Sequence, residues 1–97
     1  MNNLNKLLTL LFEDFKKEKI SYCVLGNYSD LPDYTENDVD IWVEDIKRAE
    51  LILQKISKKL SLKQYLINKT ANGSNNYFYY LNNDKIKLIK IDFMNET

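Results

Sequence analysis

Two aspartates one residue apart, Asp38 and Asp40, sit in the run Asn37-Asp38-Val39-Asp40-Ile41-Trp42-Val43, which is otherwise rich in β-forming residues. Side chains on a strand alternate between faces and the chain rises ~3.3 Å per residue, so both carboxylates would project from one face with Cα atoms about 6.6 Å apart. That spacing suits one divalent cation or a pair. Without a cation, the two charges would repel and lose hydration on a half-buried surface, an arrangement with no packing benefit. A third acid, Asp92, interrupts the end of a second β-rich run, Ile86-Lys87-Leu88-Ile89-Lys90-Ile91-Asp92-Phe93. If that strand lies beside the Asp38 strand, Asp92 reaches the same cation site.

Composition narrows the alternatives. The chain has no His and one Cys, which excludes from within it a zinc site, a Ser-His or Cys-His nucleophile arrangement and an intrachain disulfide. Chemistry must run on carboxylates, lysines or bound ions. The 14 basic and 14 acidic side chains balance, so neither a nucleic-acid-coating role nor a polybasic membrane contact is signalled. The acids are unevenly placed, however. Asp30, Asp33, Glu36, Asp38, Asp40, Glu44 and Asp45 lie between Ile20 and Ile46 with no base among them, an acidic zone inside a basic frame. The first three read as solvated loop acids, whereas Asp38 and Asp40 fall on a strand. Cys23, within Tyr22-Cys23-Val24-Leu25, reads as a small buried residue. The N-terminus lacks the features of a signal peptide, and no apolar run approaches the ~18 residues of a membrane span, so a cytoplasmic location is expected.

The elements that must position these acids follow from periodicity. Leu4, Leu7, Leu8, Leu11, Phe12 and Phe15 repeat at helical spacing and predict a helix over residues 3–19. Ser21 to Leu25 is a short strand ending at Gly26, and Asn27 to Asn37, with Pro32, is a loop. Asp38 to Val43 is the second strand. Asp45 caps a second helix whose apolar positions Ile46, Ala49, Leu53, Ile56 and Leu60 carry it to about residue 60, with Lys47, Arg48, Lys55, Lys58 and Lys59 on a solvated face. Leu62 to Asn68, Asn76 to Leu81 and Lys85 to Met94 are three strands in an antiparallel meander, turned at Asn72-Gly73-Ser74 and Asn82-Asn83-Asp84. The aromatic run Tyr77-Phe78-Tyr79-Tyr80 has the composition of a base-stacking platform, and on a strand it reads more readily as packing. A single domain spanning residues 1–97 results, of class α+β, with two helices packed on a small mixed β-sheet.

Three elements in this order, Leu25-Gly26-Asn27, then Asp38-Val39-Asp40-Ile41-Trp42-Val43, then Ile91-Asp92-Phe93, resemble the pattern of the nucleotidyltransferase superfamily. There a Gly-ended strand is followed by Asp-x-Asp and later by a strand with one more Asp. The loop Tyr28-Ser29-Asp30-Leu31-Pro32-Asp33-Tyr34 looks like that of nucleotidyltransferase-like domains in bacterial surface-polysaccharide biosynthesis proteins. The resemblance implies a minimal nucleotidyltransferase-like fold in which Asp38 and Asp40 bind Mg²⁺ or Mn²⁺ and Asp92 acts as third ligand or base-like partner. Gly26 would let a nucleoside triphosphate approach the backbone. Asn27 stands where the family has a small hydroxyl residue, leaving Ser29 as the nearest hydroxyl to grip phosphate. The implied activity is nucleotidyl transfer to a hydroxyl acceptor in surface-polysaccharide biosynthesis. A non-catalytic interaction or regulatory module of the same fold, and an antitoxin-type small nucleotidyltransferase, remain as alternatives. The chain stops soon after Asp92, so the acceptor-holding half is expected from a protein partner or from a C-terminal domain of a longer protein.

Overall fold

The computed structural model describes residues 3–25, 38–82 and 85–95. In these, helices α1 (Asn3–Lys17) and α2 (Ile46–Lys59) accompany strands β1 (Tyr22–Leu25), β2 (Asp38–Val43), β3 (Lys63–Thr70), β4 (Gly73–Asn82) and β5 (Lys85–Met94). The strands form one mixed sheet in the order β1-β2-β5-β4-β3. Only β2 and β5 run parallel; the other three pairings are antiparallel. The class α+β, with two helices on a small mixed sheet, is what the periodicity predicts.

Both helices contribute to one core on one face of the sheet. Leu7, Leu8, Leu11 and Phe15 from α1 and Ala49, Ile52, Leu53 and Ile56 from α2 meet alternate residues of the central strands: Val39, Ile41 and Val43 from β2, Ile89, Ile91 and Phe93 from β5, and Phe78 from β4. The Phe15 and Phe93 rings lie 6.2 Å apart in a tilted contact that ties α1 to β5. Three polar side chains of β3 and β4 bond among themselves. Gln64 donates to Asn76 at 2.9 Å and Asn76 donates to Ser74 at 3.1 Å, so the fully buried Asn76 amide has both a donor and an acceptor partner.

The two helices end in the same way. After α1, Lys19 takes a φ of 59° and the Ile20 amide donates to the Phe15 carbonyl at 2.8 Å. After α2, Ser61 takes a φ of 58° and the Leu62 amide donates to the Ser57 carbonyl at 2.8 Å. In each case a left-handed residue is followed by a buried apolar one, Ile20 or Leu62, that turns the chain onto the sheet. This closure ends α1 at Lys17, two residues before the expected end. At its start, α2 is capped by Asp45, whose side chain accepts from the Arg48 amide at 3.2 Å.

Other differences have physical causes. The turn between β3 and β4 is Ala71-Asn72, with Thr70 paired to Gly73, so both strands extend further than the apolar residues alone indicate. Gly73 begins β4 because the backbones are close there. A Cβ at this position would lie 2.9 Å from the Phe93 carbonyl oxygen. Cys23 is exposed, contrary to the expectation of a core residue. The parity of β1 sends Tyr22 and Val24 toward the helices and Cys23 and Leu25 to the other face. Tyr22 stacks on Phe12 with ring centroids 5.1 Å apart.

Candidate functional site

The site lies on the sheet face that the helices leave open. The parallel pairing of β2 with β5 sets Asp40 directly opposite Asp92, between the pairs Val39–Ile91 and Ile41–Phe93. Because the flanking residues are buried beneath the helices, strand alternation carries Asp40 and Asp92 together to the open face. Asn95 secures this register at the strand ends. Its side-chain amide donates to the Val43 carbonyl and, at 2.9 Å, to the Glu44 carbonyl. At the other edge of β2, the Glu44 amide donates to the Ser21 carbonyl at 3.0 Å and the Glu44 carboxylate accepts from the Ser21 amide at 2.8 Å. β2 is thus held from both sides.

Asp92 is the most constrained acid of the pair. Its side chain is 16% exposed, and its Oδ2 lies 3.5 Å from the Lys90 Nζ. Its Oδ1 is buried without a hydrogen-bond partner. Burial raises the Asp92 pKa above the usual aspartate value, since the charged form loses hydration. The Asp40 carboxyl raises it further, by hydrogen bonding and as a like charge, against a smaller opposing pull from Lys90. Two carboxyls and one buried, unpartnered oxygen form an acceptor-rich point that asks for a proton or a hard cation.

Space is available beside it. A shallow cleft of about 220 Å³ opens against Asp92, walled by Thr70, Gly73, Asn75 and Met94. A water occupies about 30 Å³ of liquid volume, so the cleft has room for a hydrated ion or a phosphate group and is too small to enclose a whole nucleotide. Asn75 stands opposite Asp92 on the β4 side, which makes it a register neighbour of the acid pair.

Of the acids singled out by spacing, Asp40 and Asp92 are brought together. The Asp38 backbone pairs with Lys90 in the same register, and its side chain lies outside the described residues, as do Gly26, Asn27 and Ser29. Among the described residues no group of three acidic, Cys or His side chains is placed to hold a metal ion. No family model matches the chain, and no curated protein matches it in sequence. The site therefore stands on its geometry. That geometry adds Lys90 and Asn75, which residue spacing did not single out. For Lys90 a signal existed, because Lys90-Ile91-Asp92 places the ammonium two residues before the acid and hence on its face of the strand. For Asn75 none did, since its place depends on the β4–β5 register.

Among the described residues no helix is long and apolar enough to cross a membrane.

Proposed function

We propose that this chain is a minimal nucleotidyltransferase-like domain that binds a nucleoside triphosphate with Mg²⁺ or Mn²⁺ and directs nucleotidyl transfer to a hydroxyl acceptor. The supporting observation is the register pairing of Asp40 with Asp92 on adjacent parallel strands, with the Asp92 Oδ1 buried and unpartnered. This donor set fits a hard divalent ion, which takes carboxylate oxygens and keeps several waters. Asp40 and Asp92, joined by Asp38, would hold it. When bound, such an ion neutralises phosphate charge and lowers the cost of the charge that develops in the transition state.

The residues of the chain have separable tasks in this reading. Asp40 and Asp38, through the ion they would hold, would place the triphosphate end of the substrate on the open face of the sheet beside β5. Asp92 accepts the acceptor's proton as its oxygen bonds to the α-phosphorus and the bond to the β-phosphate breaks, releasing pyrophosphate. Lys90, 3.5 Å from Asp92, orients the carboxylate before the proton arrives. Surface-polysaccharide synthesis is the setting that the loop from Tyr28 to Tyr34 favours, with the acceptor held by a partner chain or a further domain.

Asn27 favours a second reading, a binding module of the same fold that transfers nothing. One experiment separates the two. Calorimetry with ATP should show binding that requires Mg²⁺ or Mn²⁺ and is lost in Asp40→Ala and Asp92→Asn. Labelled nucleotide in the presence of hydroxyl acceptors then reports transfer. Ion-dependent binding without transfer leaves the module, and ion-independent binding unaffected by either substitution defeats both.

A further inference from the structure

The open face continues past the acids into a surface of a different kind. Register places Tyr65 of β3, Tyr77 of β4 and Lys90 of β5 in one row across the sheet. The next row, away from Asp92, holds Lys63, Tyr79 and Leu88. Tyr65 is 58% exposed and Leu88 50%, so no element of the described fold covers them. The two lysines are set against rings: Lys90 Nζ lies 5.6 Å from the centroid of Tyr77, and Lys63 Nζ 6.0 Å from that of Tyr79. Phe78, between the two tyrosines in sequence, is fully buried on the other face and takes the packing role expected of the run, while the side chain of Tyr80 lies outside the described residues.

We propose that Tyr77 and Tyr65 form the stacking floor for the base of a mononucleotide whose phosphates lie at Asp40 and Asp92. This inference rests on the nucleotide reading above and specifies where the rest of the ligand lies. Three features carry it. The exposed ring of Tyr65 and the half-buried ring of Tyr77 beside it offer stacking to a heterocycle, at a strength of ~1–3 kcal/mol per base. Lys63 gives the floor a positive edge, and Lys90, ion-paired with Asp92 and set against Tyr77, joins the floor to the acids. The spacing also suits the ligand: Tyr77 is one strand and two residues from Asp92, or about 8 Å across the pleat, within the reach of an extended nucleotide from its base to its outer phosphates. Two tyrosines in a row offer space for one base, which favours a mononucleotide over a strand.

The test uses the full chain labelled with 3-fluorotyrosine, its fluorine signals assigned through single Tyr→Phe variants. Adenosine, which has no phosphate, should shift the signals of Tyr77 and Tyr65 and leave Tyr22 unmoved. In calorimetry, Tyr77→Leu should weaken Mg²⁺-ATP at least about fivefold, the loss of ~0.9 kcal/mol, and leave Mg²⁺-tripolyphosphate within twofold. Tyr77→Phe keeps the ring and should bind ATP as the unsubstituted protein does. Absence of any tyrosine shift with adenosine overturns the proposal, as does an equal loss of ATP and tripolyphosphate in Tyr77→Leu. Binding of a single-stranded oligoadenylate more than tenfold tighter than ATP overturns the mononucleotide assignment. If adenosine shifts the tyrosines while tripolyphosphate does not bind, the floor stands and the acid-pair reading falls.

Discussion

The two faces of the sheet are made by the same strands and obey opposite rules. On the covered face, β2 and β5 present Val39, Ile41, Val43, Ile89, Ile91 and Phe93, all buried beneath α1 and α2. One residue along each strand, the open face presents Asp40, Lys90, Asp92 and Met94. Each covered residue removes apolar surface from water and stabilises the fold by roughly 1.5–3 kcal/mol when fully buried. Asp92 does the reverse, since burial and the nearby Asp40 both oppose its charge. A strand that spends alternate positions in this way has a scaffold side and a working side, and the fold stays intact because the first outweighs the second.

The contrast can be broken most forcefully from the covered side. Phe93→Ala removes a ring packed against Phe15 and should destabilise by about 3–5 kcal/mol in urea denaturation. Should that variant not fold, Ile91→Val should still cost about 0.5–1.5 kcal/mol. If open-face substitutions at Asp40 or Asp92 prove equally damaging, the division of labour is wrong.

Next in size is the effect of an ion on the working side. Mn²⁺ at a hundred times its dissociation constant should stabilise the protein by ~2.7 kcal/mol through binding to the folded state alone. The melting temperature should rise with Mn²⁺ in the unsubstituted chain and stay level in Asp40→Asn. A rise of the same size in both would place the ion elsewhere.

A smaller change tests a residue that belongs to neither face. Asp45→Ala removes the acceptor for the Arg48 amide and should cost about 1 kcal/mol, with Asp45→Asn largely retaining the cap. Ion binding should be unaffected by either, which calorimetry with Mn²⁺ checks.

The smallest expected effect has the opposite sign. The folded-state pKa of Asp92 is raised, so the folded protein binds this proton more tightly than the unfolded chain does. Stability from this group is therefore present at low pH and declines as pH rises from the unfolded aspartate value through the raised folded one. Asp92→Asn removes the charged form, and ion-free melting at neutral pH should shift slightly upward. The gain should shrink as pH falls toward 3.8. A lower melting temperature at neutral pH would mean that the Asp92 carboxylate is a structural acceptor.

Much of this division was legible in the residues, because alternation is a local property. Asp38 and Asp40 share parity, Val39, Ile41 and Val43 share the other, and the helices declare themselves by their leucines and isoleucines. The limits of α1 were harder to see, because Lys19 takes a left-handed turn with no glycine to announce it. Cys23 was misjudged for a related reason. An apolar flank indicates a strand, but which face is covered depends on where the helices lie. Asn75 and Tyr77 acquire their places beside Asp92 and Lys90 only through the β4–β5 register, which composition does not reveal.

The parallel pairing of β2 with β5 also bears on the order of assembly. β3, β4 and β5 follow one another and can zip through short connections, whereas the pairing of Asp40 with Asp92 joins residues about half the chain apart. Closing that long loop costs more entropy than forming a hairpin and depends on contacts made elsewhere first. In refolding, the aromatic half of the open face should gain protection from hydrogen exchange before the acid pair exists. The two carboxylates meet only once the surrounding sheet can hold them together, so the partly folded chain never carries their repulsion.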